Sequence, residues 1–131
     1  DYMSLSTIET DRPGNTYTAD TLAQIYDSYK KIYFIIGSDS LLYIQDWYHP
    51  EYICSHCHLL CANRDNNSAS VLIDQKHFLA DKYGAVIDFI DVPELPYSST
   101  DIRKKVAMGL SVKEDVGEEV EEYIKSRKLY V

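Results

Sequence analysis

Short apolar runs alternate with segments of helical spacing along this chain, and this alternation constrains its fold more than any other feature. Residues 32–36 (IYFII), 58–62 (HLLCA) and 85–90 (AVIDFI) have the length of buried strands, and residues 4–8 (SLSTI) are a candidate fourth strand. The continuous apolar run at 32–36 suits a strand that is covered on both faces. A strand–helix order repeated about four times, followed by an extra helix, predicts an α/β parallel sheet with helices on both faces.

Turn and cap residues mark the ends of the expected helices. Thr18 is a suitable N-cap, and Asp20 is favourable in the first turn that follows it. Pro50 suits the first position of another helix. Gly84 and Gly109 suit helix ends, because glycine adopts the left-handed conformation that often terminates a helix.

The composition favours one compact, acidic domain. The chain has 131 residues, 45% of them hydrophobic, and a net charge of −8, so we expect a single domain over residues 1–131 with a polar loop at 63–70. The acidic balance argues against a nucleic-acid partner, which would need a basic face. No apolar run approaches the ~20 residues that cross a bilayer, and no signal peptide is recognisable. These features predict no membrane partner and a cytoplasmic location.

Three cysteines, Cys54, Cys57 and Cys61, lie close together beside His58. A closed zinc site usually draws on two separated pairs of ligands, whereas these side chains are spread over a helix end and a strand. We therefore expect reduced thiols that are buried or half-buried, and no metal site. A zinc site is the alternative.

A run of hydroxyl side chains precedes the helix expected after residue 98. Ser98 and Asp101 have the spacing of a capping box, in which the two side chains only stabilise the helix start. The alternative is a phosphate site: a helix N-terminus presents unpaired N–H groups, Ser99 and Thr100 add hydroxyl donors, and Arg103 adds a planar fork. In a parallel sheet such a helix begins near the carboxyl ends of the strands, where ligands bind.

Gly37 and Asp39 follow the strand expected at 32–36, so they also stand at a carboxyl end. Gly37 would let a ligand approach the backbone closely, and Asp39 could accept hydrogen bonds from ribose hydroxyls. Trp47 could stack on a flat heterocycle. The alternatives are a turn glycine, a carboxylate at a helix N-terminus and a core tryptophan.

Several of these segments together resemble bacterial nicotinate-nucleotide adenylyltransferases. They are residues 11–22 (DRPGNTYTADTL), 33–47 (YFIIGSDSLLYIQDW), 91–106 (DVPELPYSSTDIRKKV) and 118–131 (EEVEEYIKSRKLYV). The Ser-Ser-Thr-x-x-Arg element is shared across related nucleotidyltransferases, and the first two segments are more specific. The resemblance covers nearly the whole chain, corresponds to the C-terminal two-thirds of the family and implies a Rossmann-like nucleotidyltransferase fold.

The resemblance also implies a reaction. The family transfers AMP from ATP, with Mg²⁺, to nicotinate mononucleotide, which gives deamido-NAD and pyrophosphate in NAD biosynthesis. The substrate phosphate attacks the α-phosphorus in line without a covalent enzyme intermediate, so catalysis consists of positioning and charge stabilisation.

Carried over position by position, the resemblance assigns roles to single residues. Trp47 would stack on the pyridine ring, and backbone groups around Thr18 and Tyr48 would recognise the nicotinate carboxylate. Arg103 would be the catalytic residue of this chain. The ATP-binding residues would be Gly37, Asp39, Ser98, Ser99, Thr100 and Arg103.

The chain departs from the family pattern in three respects. It has no His-x-Gly-His segment, whose histidines face the ATP phosphates in the family, so we expect these 131 residues to be inactive alone and to keep weak nucleotide affinity. The family's first strand would lie beside residues 32–36, so we expect an exposed edge that favours self-association or coverage by another segment. Gly117 stands where proline is usual, which predicts a looser start of the last helix.

Two other functions stay open on the sequence alone. One is a related nucleotidyltransferase with another phosphate acceptor, such as phosphopantetheine; the context of Trp47 and the sequence TYTADTL argue against it. The other is a non-catalytic module that binds a nucleotide or docks a partner, which the missing His-x-Gly-His segment leaves open.

Overall fold

A computed structural model describes residues 2–29, 31–63, 69–93 and 97–131 of the protein. The chain divides into two compact units, Asp1–Pro93 and Glu94–Val131, and each is treated by itself. The single domain expected over residues 1–131 stays a prediction. Most of the predicted polar loop lies outside the described residues.

The first unit contains four helices and three strands among its described residues, together with two short 3₁₀ segments. In chain order they are α1 (Thr18–Ile25), the 3₁₀ segment Tyr26–Ser28, β1 (Tyr33–Gly37), α2 (Ser38–Tyr43), the 3₁₀ segment Ile44–Asp46, α3 (Pro50–His56), β2 (His58–Ala62), α4 (Ala69–Tyr83) and β3 (Val86–Ile90). The described part of the second unit contains α5 (Ser99–Ala107), α6 (Lys113–Val116) and α7 (Glu118–Ser126).

The three strands form one parallel sheet in the order β1-β2-β3. Each strand lies within one residue of its predicted boundaries, so the α/β parallel-sheet class is confirmed. Tyr33 pairs with His58, which in turn pairs with Val86. The carboxyl ends of all three strands therefore lie at the same end of the sheet.

The strand predicted at residues 4–8 is wrong. Residues 2–7 form no regular element, and a turn begins at Ile8. The Asp11 N–H donates to the Thr7 carbonyl at 2.9 Å, and the Thr7 hydroxyl donates to the Asp11 carboxylate at 2.7 Å. Short polar side chains offer the backbone these local bonds in place of a sheet ladder, and here the turn forms.

One face of the sheet carries the core. Phe34, Leu59 and Ile87 are in register across the three strands, and Leu59 and Ile87 are almost fully buried. Helix residues such as Leu41 and Ile53 join them in one hydrophobic cluster. Because parallel connections are right-handed, strands laid down in one direction place their connecting helices on the same face.

Exposed apolar side chains occupy the opposite face of the sheet. Ile35 is 67% exposed, Val86 54% and Tyr33 50%. The expectation that the first apolar run is covered on both faces is therefore not met among the described residues. Within that part of the chain β1 pairs only with β2, so β1 is an edge strand there, and the exposure of this edge stays a prediction.

The helix ends follow most of the predicted signals. Pro50 is the first residue of α3, and Gly84 and Gly109 adopt φ of 69° and 71° after α4 and α5. Thr18 is a wrong prediction as N-cap, because α1 begins at Thr18 and Tyr17 holds the cap position without a side-chain hydrogen bond. Asp20 lies in the first turn, as expected.

Gly117 separates α6, which the sequence did not predict, from α7. Its φ of 85° is unavailable to proline, whose ring fixes φ near −65°. The Gly117 N–H donates to the Lys113 carbonyl at 2.8 Å, and the Gly117 carbonyl accepts from the Glu121 N–H at 3.1 Å. The first turn of α7 is therefore hydrogen-bonded, which gives no sign of the looser start that we expected.

A buried carboxylate ties α7 to the preceding loop. Glu121 accepts the Ser111 hydroxyl at 2.7 Å, the Val112 N–H at 2.8 Å and the Lys125 ammonium at 2.9 Å. These bonds lower the pKa of Glu121 to about 2, with the Ser111 hydrogen bond as the largest contribution. Because folding lowers this pKa, the stabilisation is present above the ordinary value of 4.5 and is lost as the pH falls toward 2.

Glu121→Gln is therefore expected to lower the free energy of unfolding at pH 7, and its deficit relative to wild type should shrink as the pH falls from 5 toward 2. Urea unfolding at a series of pH values measures this difference. Glu122→Gln, a change at the exposed neighbour, is the control and should leave the curve unchanged. A deficit that is the same at every pH would contradict this role of Glu121.

Candidate active site

The carboxyl end of β1 leads directly into α2. Gly37 is both the last residue of β1 and the N-cap of α2, with φ −75°, an angle that any residue adopts. The conformation therefore does not require glycine, and close approach of a ligand stays the predicted reason for it. Asp39 lies exposed in the first turn of α2, where the helix dipole favours a carboxylate.

The three cysteines are free and buried, as predicted. Burial raises the pKa of Cys54 to about 11 and that of Cys57 to about 12. Burial, with a smaller contribution from the charge of Asp39, also raises the pKa of Cys61. Among the residues that the structure describes, no three His, Cys, Asp or Glu side chains are gathered as metal ligands, so the zinc alternative has no support there.

Three of the predicted site residues line one cleft. Thr18, Trp47 and Tyr48 face a space of about 380 Å³ formed between the start of α1 and the loop that follows α2. The remaining lining residues are Thr16, Tyr17, Asp46 and Ile53. Sequence positions about thirty residues apart are thus brought to one place, with the buried side chain of Ile53 among the walls.

Trp47 belongs both to the core and to the cleft. Its ring is half-buried and meets the ring of Phe34 edge-on, at 6.3 Å between centroids and 66° between planes. The backbone N–H of Trp47 donates to the Ile44 carbonyl at 3.1 Å, which fixes the main chain that carries the ring. Packing therefore holds the indole in place while part of it stays accessible. The two alternatives of core residue and stacking surface are compatible here.

Tyr17 and His49 flank Tyr48, and the sequence reasoning gave neither a role in the site. The ring centroids of Tyr17 and Tyr48 are 4.5 Å apart, and those of Tyr48 and His49 are 4.1 Å apart. His49 adopts φ 50°, and its Nδ1 lies 2.9 Å from the Glu51 carboxylate, which lowers the pKa of Glu51. No local sequence signal predicts a left-handed backbone at His49. Tyr17 could have been named from the sequence, because it precedes Thr18 directly in the segment TYT.

The start of α1 presents backbone donors beside the cleft. Tyr17 provides no side-chain cap, so the first N–H groups of the helix have no capping acceptor from that residue. The side chains of Ala19 and Leu22 are buried and anchor the helix in the core. The position of Thr18 is therefore fixed by packing rather than by its own hydroxyl.

Arg12 braces α1 from the preceding loop and was also missed in the sequence. Its Nη2 donates to the Thr21 hydroxyl at 2.5 Å, and that hydroxyl donates to the Glu9 carboxylate at 2.7 Å. The Nε and Nη1 atoms of Arg12 are buried without a hydrogen-bond partner among the described residues. The loop before Thr18 is thus held through side chains that have no recognisable spacing.

Two histidines, His56 and His58, lie toward the other end of the sheet. His58 begins β2, at the amino end, and its Nε2 lies 2.9 Å from the Asp88 carboxylate. The ring of His56 stacks on that of Tyr52 at 3.8 Å. In parallel sheets ligands bind at the opposite end, where the strands have their carboxyl ends. These positions agree with the interpretation that they do not replace the family's phosphate-facing histidines.

In the second unit, Ser98 and Asp101 form the predicted capping pair. The Ser98 hydroxyl donates to the Asp101 carboxylate at 2.7 Å and accepts the Asp101 N–H at 3.0 Å. The capping interpretation of these two residues is therefore confirmed. The hydroxyl proton of Ser98 is already used within α5.

Ser99, Thr100 and Arg103 lie exposed on the first turns of α5. In the described part of the chain the hydroxyls of Ser99 and Thr100 make no hydrogen bond. The Arg103 guanidinium lies over the ring of Tyr130, 5.4 Å from its centroid. Donors suited to phosphate are therefore presented at this helix start, and their role in ATP binding stays a prediction.

Comparison with known families defines the class of the protein. The model of the cytidylyltransferase-like family matches residues 2–105. The chain therefore belongs to the cytidylyltransferase-like family.

Comparison with curated proteins gives a more specific similarity than the family match. The chain is 37% identical over 132 aligned residues to a protein of Thermoanaerobacter sp. (strain X514) named probable nicotinate-nucleotide adenylyltransferase, covering 98% of this chain and 63% of that protein. A protein of the same name from Lachnoclostridium phytofermentans is 35% identical, covering 99% of this chain and 66% of the relative. The chain thus resembles nicotinate-nucleotide adenylyltransferases and spans slightly less than two thirds of their length.

Solved structures agree with the fold. The nicotinic acid mononucleotide adenylyltransferase of Plasmodium falciparum, complexed with APC, superposes with a TM-score of 0.67 at 19% identity, over 90% of this chain and 60% of that one. The same enzyme complexed with NaAD gives a TM-score of 0.66. At this identity the likeness supports the fold alone. Within the described ranges, none of the helices has the length and hydropathy of a membrane span.

Proposed function

We propose that the chain is the part of an adenylyltransferase that binds nicotinate mononucleotide and ATP, for the transfer of AMP that forms deamido-NAD and pyrophosphate in NAD biosynthesis. The cleft lined by Thr18, Trp47 and Tyr48 is the observation that carries the proposal. The names of the curated relatives support the same reaction.

The cleft suits a pyridine ring that bears a carboxylate. Trp47 offers a packed aromatic surface for stacking, and Tyr48 offers a second ring. The uncapped N-terminus of α1 supplies N–H donors and partial positive charge, both of which favour an anion. A backbone N–H group donates a hydrogen bond to a carboxylate oxygen. The NH₂ group of an amide at the same position is itself a donor, so the contact is unfavourable. The acid form of the nucleotide is therefore the proposed substrate.

Candidate contacts for ATP lie in each of the two units, and those of each unit are considered by themselves. Ser99, Thr100 and Arg103 supply hydroxyl and guanidinium donors for phosphate oxygens, with the N-terminus of α5 behind them. Asp39 and Gly37 stand where a ribose could be contacted. Ser98 contributes chiefly by fixing the helix start, because its hydroxyl is engaged with Asp101.

Mg²⁺ enters this proposal as part of the ATP substrate. The described residues hold no cage of carboxylates, and Mg²⁺ commonly binds through substrate phosphates with few protein ligands. The protein's own contribution is to align the phosphate of nicotinate mononucleotide with the α-phosphate of ATP and to stabilise the charge that develops between them. The buried reduced thiols fit the cytoplasmic location that we propose.

A related transferase with another phosphate acceptor is the second candidate. The family that the model defines is broader than one substrate, which keeps this candidate open. The aromatic lining of the cleft favours the nicotinate nucleotide over a flexible chain such as phosphopantetheine. A module that binds nucleotide without catalysis would share the binding results below and differ only in turnover.

Trp47→Ala is expected to weaken nicotinate mononucleotide binding by roughly 1–3 kcal/mol, the range measured for base–aromatic stacking, and to change ATP binding far less. Isothermal titration of each nucleotide into the 131-residue chain measures both effects. Trp47→Phe, which keeps a stacking face, is the matched control and should retain most of the affinity. Equal losses for the two nucleotides would mean that Trp47 is only a core residue.

Arg103→Ala is expected to cost on the order of 2–4 kcal/mol of transition-state stabilisation, as when one preorganised donor is removed. Steady-state kinetics on a version of the chain extended by a His-x-Gly-His segment gives the change in kcat/KM. Arg127→Ala removes an arginine of the same unit that lies over another ring and serves as control. An unchanged kcat/KM in Arg103→Ala would remove this residue from the proposed mechanism.

We also propose that the 131-residue chain self-associates through β1. The strand is one of the two edges of the described sheet, and its side chains Tyr33 and Ile35 are exposed and uncharged. Natural edge strands commonly carry charges that oppose pairing with another chain, and β1 carries none.

Ile35→Lys should therefore shift the 131-residue chain toward monomer in multi-angle light scattering. Ile73→Lys, at a comparably apolar exposed position on α4, is the control and should leave the mass unchanged. The same samples should release no pyrophosphate from ATP and nicotinate mononucleotide. A monomeric wild type, or one with turnover, would contradict the respective part of this proposal.

A further inference from the structure

The turn after α7 has an unusual backbone. Lys128 and Tyr130 adopt φ of 51° and 63°, in the left-handed region that residues with a Cβ atom rarely occupy. Such conformations persist where the surrounding structure determines them, and they are often associated with function. Lys128 has the position of the left-handed residue that commonly follows a helix, so only the conformation of Tyr130 is unusual here.

Backbone hydrogen bonds fold this turn against the end of α7. The Lys128 N–H donates to the Lys125 carbonyl at 3.2 Å, and the Leu129 N–H donates to the Ile124 carbonyl at 3.0 Å. These two bonds are those of a Schellman motif, in which the left-handed Lys128 follows the end of α7, and Tyr130 comes two residues later. Its ring meets the Arg103 guanidinium with 5.4 Å between the ring centroid and the guanidinium carbon.

The kind of contact matters for a residue that has to bind an anion. A carboxylate partner would occupy the N–H donors of the guanidinium and would compete with phosphate. An aromatic ring instead attracts the face of the cation and leaves the N–H groups at its edge available. Among the described residues Arg103 has a ring partner and no acidic partner within 4 Å.

We infer that Tyr130 is a positioning residue for Arg103. The ring restricts a long, exposed side chain to orientations in which its donors remain free for the phosphate oxygens of ATP. This inference rests on the proposed function, since it assigns Tyr130 a role in the same phosphate site. It predicts that the aromatic ring, and not the hydroxyl group, is the part of Tyr130 that ATP binding requires.

The test is isothermal titration of ATP into the 131-residue chain. Tyr130→Leu should weaken binding by about fivefold, the effect of losing an exposed cation–π contact, whereas Tyr130→Phe should bind like wild type. Tyr123→Leu is the matched control, because it removes a ring that lies 5.6 Å from the Arg127 guanidinium in the same unit. It should leave ATP binding unchanged.

A second measurement observes the contact without ATP. The ring current of Tyr130 should displace the Nε–H resonance of Arg103 in the wild type and in Tyr130→Phe, and the displacement should vanish in Tyr130→Leu. A purely structural role of the turn would not produce this pattern. An Arg103 resonance that is the same in all three proteins would overturn the inference, even if Tyr130→Leu were poorly folded.

The outcomes separate this inference from the proposed function. If the wild type binds ATP and Tyr130→Leu binds within twofold of it, the inference is overturned and the phosphate site stands. If the wild type does not bind ATP, the phosphate site of the proposed function fails in this chain, and the role of Tyr130 fails with it.

Discussion

Parallel pairing of three strands in chain order is the constraint on which the first unit depends. Because connections between parallel strands are almost always right-handed, α2, α3 and α4 are placed on one face, where the buried cluster forms. The same pairing aligns the carboxyl ends of the strands. The chain therefore passes from β1 into α2 at the carboxyl ends of the strands, where parallel sheets bind ligands. Strand order alone produces this placement, and no specific side chain is needed for it.

The cleft depends on this core in a direct way. Trp47 is held because its edge packs on Phe34 of β1, and Thr18 is held because Ala19 and Leu22 of α1 are buried. A stacking surface and a helix N-terminus are thus fixed by groups that contact no ligand. Rigid placement of this kind reduces the ordering that binding would otherwise require.

The direction of the strand connections also explains why the other face of the sheet is exposed. Because the described connections all run in one direction, they leave Ile35 and Val86 exposed on the far side. A strand added beside β1, followed by a crossover in the opposite direction, would bring a helix to that side. The edge position of β1 and the exposed face are therefore two results of one strand order.

The sequence allowed the strands and most helix ends to be predicted because their signals are local. The apolar runs at β1, β2 and β3 and the proline of α3 needed no tertiary information. Residues 4–8 misled because serine and threonine suit a turn as well as a strand, and a contact from Thr7 to Asp11 decided the outcome. The N-cap assigned to Thr18 failed by a single residue.

The candidate site was less accessible to such reasoning. Trp47 was proposed as a stacking surface from its residue type, and Thr18 and Tyr48 were named through a family resemblance. Only the folded chain brings the three to one cleft. His49 and Tyr130 were missed because each depends on a left-handed backbone that no sequence rule assigns to histidine or tyrosine. Their contacts are set by tertiary packing rather than by neighbours in the chain.

Two-dimensional NMR of the ¹⁵N-labelled chain tests whether the cleft prefers a nicotinate carboxylate to the corresponding amide, as we propose. Nicotinate mononucleotide should displace the Trp47 indole resonance and the backbone amides of Ala19 and Tyr48, and nicotinamide mononucleotide at equal concentration should displace them much less. Equal displacements by both nucleotides, or displacements confined to other residues, would contradict this selectivity.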